Sequence, residues 1–233
     1  MSRIILQHWA GPMDELVTAS SKEFSAYAES LGCDYELVRH SPFMPRIAHK
    51  ISPCLQKLIY LDEKYDMYDT LVMVDADMFI RKRDDSVIPN IFEDIGIGRH
   101  TQIQTNLRAG IARTLPRFGN ENAPYWGGSI IKLPLEIRQK FRSLITEEIV
   151  MTFANNWVDE GVMHTLANLA GMRHNDEGMY LNGQMWNYSS FEPTVEEANF
   201  IHIRTKIRPH GPKDTKLNNY HRLIRQGLLN GTN

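Results

Sequence analysis

Two carboxylates one residue apart, Asp75 and Asp77, follow the apolar run Thr70-Leu71-Val72-Met73-Val74. The run is too short for a helix and too uniformly apolar for a half-exposed strand. It reads as a central strand of a parallel sheet, with Asp75-Ala76-Asp77 at its carboxyl end. Taking each carboxylate out of water costs on the order of several kcal/mol unless the charge is neutralised. A divalent cation is the usual solution. Hard oxygen ligands suit Mg²⁺ or Mn²⁺, and a strand end presents them on a rigid scaffold with coordination positions left for a phosphate. A plainer alternative pairs one acid with a nearby lysine and leaves the other solvated at a turn.

The chain around this pair has 233 residues, 42% hydrophobic and 23% charged, the balance of one globular domain with a sizeable core. Lys and Arg number 26 against 28 Asp and Glu, a net charge of -2, which excludes a basic arm for nucleic acid or an anionic membrane as the main theme. Cys33 and Cys54 are too few for a disulfide framework and do not have CxxC spacing, so a zinc-thiolate or dithiol site is excluded. No apolar run approaches the roughly 18 residues of a membrane span, and the first residues do not read as a signal peptide. A cytoplasmic location without a membrane segment is the expectation. The near-neutral total conceals a basic stretch, since Arg204–Arg225 holds seven Lys/Arg and one acid, Asp214.

The elements that must position the pair alternate. Arg3 to Gln7 is a short strand run closed by Gly11-Pro12, and Met13, Leu16, Val17, Phe24, Tyr27, Ala28 and Leu31 follow helical spacing up to Gly32. Tyr35 to Val38 reads as a second strand, and a helical segment spans about Ser52 to Tyr65. Strand, helix, strand, helix, strand is the α/β pattern, which places ligands beyond the carboxyl ends of the strands. Further on, Ile95 to Ile103 could be a strand, and Asn106 to Tyr125, with two Gly and two Pro, reads as an active-site loop. Ser129 to Leu133 reads as another strand. Pro134 opens one amphipathic helix with Ile137, Phe141, Leu144, Ile145 and Ile149 on one face, and Val158 to Leu169 is a second helix. Near the end, Leu217, Tyr220, Leu223, Ile224 and Leu228 give an apolar stripe.

Other segments set the D-x-D in context. Gln56-Lys57-Leu58 lies on the helical segment before the strand, Tyr125-Trp126-Gly127-Gly128-Ser129 precedes the next strand, and Trp157-Val158-Asp159-Glu160-Gly161 opens a helix. Trp186-Asn187-Tyr188-Ser189-Ser190 follows, and then Phe200-Ile201-His202-Ile203-Arg204-Thr205-Lys206-Ile207-Arg208-Pro209. In that order these segments resemble the GT-A fold glycosyltransferases of family 8, the glycogenin-like group, from the first strand to about Pro209. The resemblance implies an α/β GT-A (Rossmann-like) catalytic domain over 1–212, with a mixed, mostly parallel central sheet and a C-terminal helix and tail over 213–233.

The resemblance also implies roles. Lys57 matches a lysine that contacts the nucleotide-sugar; Asp75, Asp77 and His202 match the ligands of Mn²⁺ (or Mg²⁺), which holds the diphosphate of a UDP-sugar across Asp75-Ala76-Asp77. Arg208-Pro209 stands where the family has a Lys-Pro pair closing over the diphosphate. Arginine keeps the charge but replaces a point donor with a planar fork. The family's Asn-x-Gly is here Trp126-Gly127-Gly128, and its Asp-Gln at a helix start is Asp159-Glu160, so both departures fall where acceptor and donor sugar would be met. Asp159 would bind the donor sugar or stabilise an oxocarbenium-like centre in a retaining enzyme. In an inverting one Asp159 or Glu160 would be the general base.

The chemistry of the residues agrees with this. Breaking a sugar-phosphate bond requires stabilising negative charge on the departing diphosphate, which a cation and fixed positive charges from Arg204, Lys206 and Arg208 can do. Gln7, His8 and Trp9, beyond the first strand, are where an amide or aromatic could meet a base and its ribose. The partners implied are a nucleotide-sugar donor and a glycan or glycoprotein acceptor. Compact unanchored GT-A enzymes of bacteria and of large DNA viruses suggest a glycan-building role, in the host cytoplasm for a viral chain. Two alternatives stay open: a D-x-D phosphatase or phosphotransferase with Asp75 as nucleophile, and a non-catalytic carbohydrate-binding domain.

Overall fold

The computed structural model describes residues 1–39, 53–82, 88, 90–92, 128–153, 158–171, 187–189, 198–204 and 215–231. Strand β1 (Arg3–His8) leads through Asp14 into helix α1 (Glu15–Ser30) and returns in β2 (Asp34–Val38). Asp14 caps α1 by accepting from the Val17 N–H at 2.9 Å. The expected helix before the third strand is a pair of 3₁₀ helices, Pro53–Leu61 and Glu63–Tyr65. They divide at Asp62, whose extended backbone and side chain cap the second. Then come β3 (Thr70–Asp75), β4 (Met78–Ile80), β5 (Ile130–Pro134), α2 (Leu135–Leu144), α3 (Glu147–Thr152), α4 (Val158–Leu169), β6 (Asn187–Ser189), β7 (Phe200–His202) and α5 (Lys216–Arg225).

The main sheet has the order β2-β1-β3-β5. β1 pairs parallel with both β2 and β3, and β5 lies antiparallel to β3, which makes the sheet mixed. β3 is interior and buried on both faces, as its unbroken apolar run requires. Period-two alternation divides the core. Ile4, Leu6, Leu71, Met73, Ile131 and Leu133 face the longer 3₁₀ helix, α2, α3 and α4. Ile5, Val72, Val74 and Ile130 face Phe24, Tyr27 and Ala28 of α1. Each such side chain contributes roughly 1.5–3 kcal/mol on burial.

The amphipathic helix expected from Pro134 onward is two helices. Ile145 is extended, and the Thr146 hydroxyl accepts from the Ile149 N–H at 3.3 Å, starting α3 afresh. The apolar strand that Phe200-Ile201-His202-Ile203 suggests is β7, but the three-stranded sheet of order β4-β7-β6 around it is not legible in sequence, since β4 and β6 have three residues each and too little pattern to read. Helix α5 packs its stripe through Tyr220 and Leu223 onto Phe79 and Ile201, with the Phe79 and Tyr220 rings stacked at 4.7 Å. Among the described residues no helix is long and apolar enough to cross a membrane. The strand expected at Ile95–Ile103 and the loop expected at Asn106–Tyr125 lie outside the described residues.

Candidate metal and donor site

The D-x-D is the crossing between the two sheets. Asp75 ends β3 opposite His8 of β1, Ala76 and Asp77 turn, and Met78 opens β4 opposite His202 of β7. This brings side chains 125 to 127 residues apart in the chain to one point: Asp75, Asp77 and His202 offer donor atoms that all lie within 4.8 Å of one another. The imidazole Nε2 is 3.2 Å from Asp77 Oδ1 and 3.8 Å from Asp75 Oδ2. The other oxygen of each carboxylate goes to a lysine: Lys57 Nζ is 2.6 Å from Asp75 Oδ1, and Lys216 Nζ pairs with Asp77 Oδ2. One oxygen from each acid and the histidine nitrogen are thus left converging. With Nε2 turned to the acids, His202 Nδ1 is buried with no hydrogen-bond partner among the described residues. Two hard oxygens and an imidazole nitrogen, convergent and electronegative, fit a divalent cation of the Mg²⁺ or Mn²⁺ type.

The backbone beneath these ligands is fixed from four directions. The Asp75 N–H donates to Ser129 O at 2.8 Å, and Asp77 O accepts from the Ile203 N–H at 2.9 Å. Gln7 is wholly buried; its amide nitrogen donates to Asp75 O at 3.1 Å and to Ser20 Oγ at 2.9 Å, while its Oε1 accepts from the Tyr35 hydroxyl at 2.8 Å. Ser20 in turn donates to Met78 O at 2.7 Å. Gln7 has thus committed its amide to bracing the strand end. Its position at the end of an apolar run gave no sign of that direction.

Lys57 is the hub of the neighbouring network. Beyond Asp75 it binds Asp159 Oδ2 at 2.7 Å and donates to Gly128 O at 3.1 Å. Against the desolvation that would lower it, Asp159 and Asp75 hold the Lys57 ammonium well above the ordinary lysine value. Burial pushes the Asp159 carboxyl up to about 6 despite Lys57, helped by the charges of Asp75 and Glu160. Asp77, although buried, is held well below the usual carboxylate range by His202 and Lys216. Glu160 accepts from the Gly128 N–H at 3.1 Å. The close approach explains the glycine: a Cβ there would stand 3.0 Å from Glu160 Cγ and 3.3 Å from Asp159 Oδ2.

His8 lies beside this network, hydrogen-bonded through Nε2 to Gln56 Oε1 at 3.1 Å. Burial lowers it to about 4, so at neutral pH the uncharged ring is the donor of that bond. Trp9 donates its indole N–H to Pro12 O at 2.7 Å, and Arg39 holds the same turn through Trp9 O and Gly11 O. Trp9 and Leu16 line a cavity of about 240 Å³ whose far wall is Asp77, Thr215 and Lys216. Of the residues expected at the site, Trp126, Gly127, Lys206 and Arg208 lie outside the described residues. The site residue the sequence reading missed is Lys216, one of seven basic residues in its stretch and marked by nothing in its spacing.

No family model and no curated protein matches this chain by sequence. Among solved structures it is similar to a glycosyltransferase involved in the glycosylation of the major capsid of PBCV-1, with a TM-score of 0.55 and 12% identity over 96% of this chain and 100% of that one. It is also similar to an active-site mutant of LgtC, with a TM-score of 0.54 and 11% identity over 98% of this chain and 97% of that one. The architecture is therefore the single-domain GT-A α/β fold, with its mixed, mostly parallel central sheet.

Proposed function

We propose that the protein is a metal-dependent glycosyltransferase, similar to family 8, that moves a sugar from a UDP-sugar to a glycan or protein-linked glycan with retention. The observation that carries this reading is the convergence of Asp75, Asp77 and His202 at the carboxyl edge of a GT-A sheet, beside a cavity shared by Trp9 and Asp77. Asp75, Asp77 and His202 would hold Mn²⁺ or Mg²⁺, whose Lewis acidity stabilises the departing diphosphate. In this reading residues 1–212 are the catalytic domain and 213–233 a C-terminal helix and tail, and the enzyme works in the cytoplasm.

The chain's own residues then divide the work. Trp9 meets the nucleoside end of the donor, with neutral His8 behind it, and Gln7 serves indirectly by bracing Asp75. Lys57, Lys206 and Arg208 provide fixed positive charge near the diphosphate. Asp159, kept beside Lys57, faces the donor sugar and stabilises its oxocarbenium-like centre, and Trp126, Gly127, Gly128 and Glu160 bound the sugar and acceptor side.

The test is Mn²⁺-dependent binding and hydrolysis of a panel of UDP-sugars, with Asp75→Ala and Asp77→Ala as comparisons. Both variants are expected to lose metal-dependent binding. UDP-sugar binding unchanged in both would end the transferase reading. A phosphotransferase would instead turn over a phosphomonoester, and a binding module would hold glycan without metal-dependent nucleotide affinity.

A further inference from the structure

Lys216 differs from the other lysine at the site in one respect that matters. Lys57 is enclosed, its side chain 12% exposed and fixed by three acceptors, whereas the Lys216 side chain is 46% exposed while its partner Asp77 is 10% exposed. Lys216 is the first residue of α5, at the wall of the cavity shared with Trp9 and Asp77. The helix does not depend on it. Thr215 caps α5 by accepting from the Asn218 N–H at 3.1 Å, Asn219 donates to Arg204 O at 2.6 Å, and Tyr220 and Leu223 are buried. The long flexible stem can therefore leave Asp77 without undoing the fold.

The charges say what that mobility is for. Lys57 divides its charge between Asp75 and Asp159, whereas Lys216 answers Asp77 alone, so it is Lys216 that a cation reaching Asp77 meets. A divalent ion that takes Asp77 with Lys216 in place sets two cations on one carboxylate, a local positive excess. A diphosphate reverses that excess and offers Lys216 a new acceptor a short swing away.

We propose that Lys216 couples cation binding to diphosphate binding: it neutralises Asp77 in the resting protein, opposes the cation when that comes alone, and turns onto the diphosphate when the two come together. This rests on the nucleotide-sugar reading above. It makes Lys216 a donor-binding residue whose signature is a thermodynamic coupling, equal in both directions by linkage.

The experiment measures Mn²⁺ binding with and without UDP, and UDP binding with and without Mn²⁺, by calorimetry and by the electron-spin signal of free Mn²⁺. It compares wild type, Lys216→Met, Lys216→Arg and the distant surface control Lys64→Met, with thermal melts to check folding. A unit charge about 4 Å from a divalent cation is worth at least about tenfold in affinity even when screened as in bulk water, and an exposed ammonium free to swing into solvent keeps the effect near that lower limit. Lys216→Met is expected to bind Mn²⁺ alone about tenfold more tightly and to lose about tenfold of the coupling to UDP. Lys216→Arg should keep most of the coupling, and Lys64→Met all of it. Folded Lys216→Met with unchanged Mn²⁺ affinity and coupling, in a wild type that binds UDP with Mn²⁺, overturns the proposal alone. Failure of wild type to bind UDP with Mn²⁺ overturns the functional reading and the proposal with it.

Discussion

Replacing Lys57 with Met tests the network at its hub, because the substitution removes the ammonium while nearly keeping the length of the stem. Lys57 bridges Asp75 Oδ1 at 2.6 Å, Asp159 Oδ2 at 2.7 Å and Gly128 O at 3.1 Å, with its side chain 12% exposed. Two carboxylates lose their counter-charge at once. Breaking a buried pair by deleting one partner costs about 3–5 kcal/mol, a large part of a stability on the order of 5–15 kcal/mol. For a chain of this size that is a fall in Tm on the order of 10 °C. Urea unfolding followed by circular dichroism at neutral pH, without metal, measures it. The double variant with Asp159→Asn separates the pair from general damage: it should cost less than the sum of the single variants by about 1–3 kcal/mol. A loss below about 1 kcal/mol for Lys57→Met, the size of an exposed pair, would refute the buried bridge.

Two further outcomes follow from other parts of the fold. A Cβ at Gly161 would stand 2.2 Å from the Phe153 ring, so Gly161→Ala should destabilise by about 1–3 kcal/mol despite alanine's better helix propensity, and adding Phe153→Ala should relieve the clash; additive losses in urea unfolding would contradict this. Burial pushes the Glu23 carboxyl up to about 8, against the pull of its hydrogen bond with the Ile80 backbone. A raised carboxyl binds its proton more tightly when folded, so this contribution falls as pH rises from about 4.5 to 8, by at most about 5 kcal/mol. Glu23→Gln should flatten that decline, and parallel pH profiles for the two proteins would show that Glu23 is not its source.

Much of this arrangement was legible in the sequence because its signals are local. The apolar run before Asp75 announced an interior strand, and Val158–Leu169 is helical over the whole expected span. Asp75, Asp77 and His202, named from motif order, converge in space. What escaped depends on partners far along the chain. Lys216 meets Asp77 across 139 residues, and nothing in a run of seven basic residues singles it out. Gln7 turns inward because Ser20, Tyr35 and Asp75 O are waiting there, a fact of tertiary structure alone. The direction of β5, antiparallel beside β3, is likewise not written in its apolar pattern.

The strands of the smaller sheet have three residues each, and Asp77, directly before β4, and His202, at the end of β7, stand together at one end of the β4–β7 ladder. So few backbone bonds leave the ladder held chiefly by the burial of Met78, Phe79, Phe200 and Ile201, and its polar end is where opening would start. A ligand gripping both Asp77 and His202 would rivet that end of the ladder to Asp75 on the main sheet. Amide-hydrogen exchange at Met78–Ile80 and Phe200–His202 would then slow on occupancy while the centre of β3 stays as it was. The same seam sets a mechanical order: under strain the empty protein should shed the small sheet first, and the loaded one should hold the two sheets as a unit.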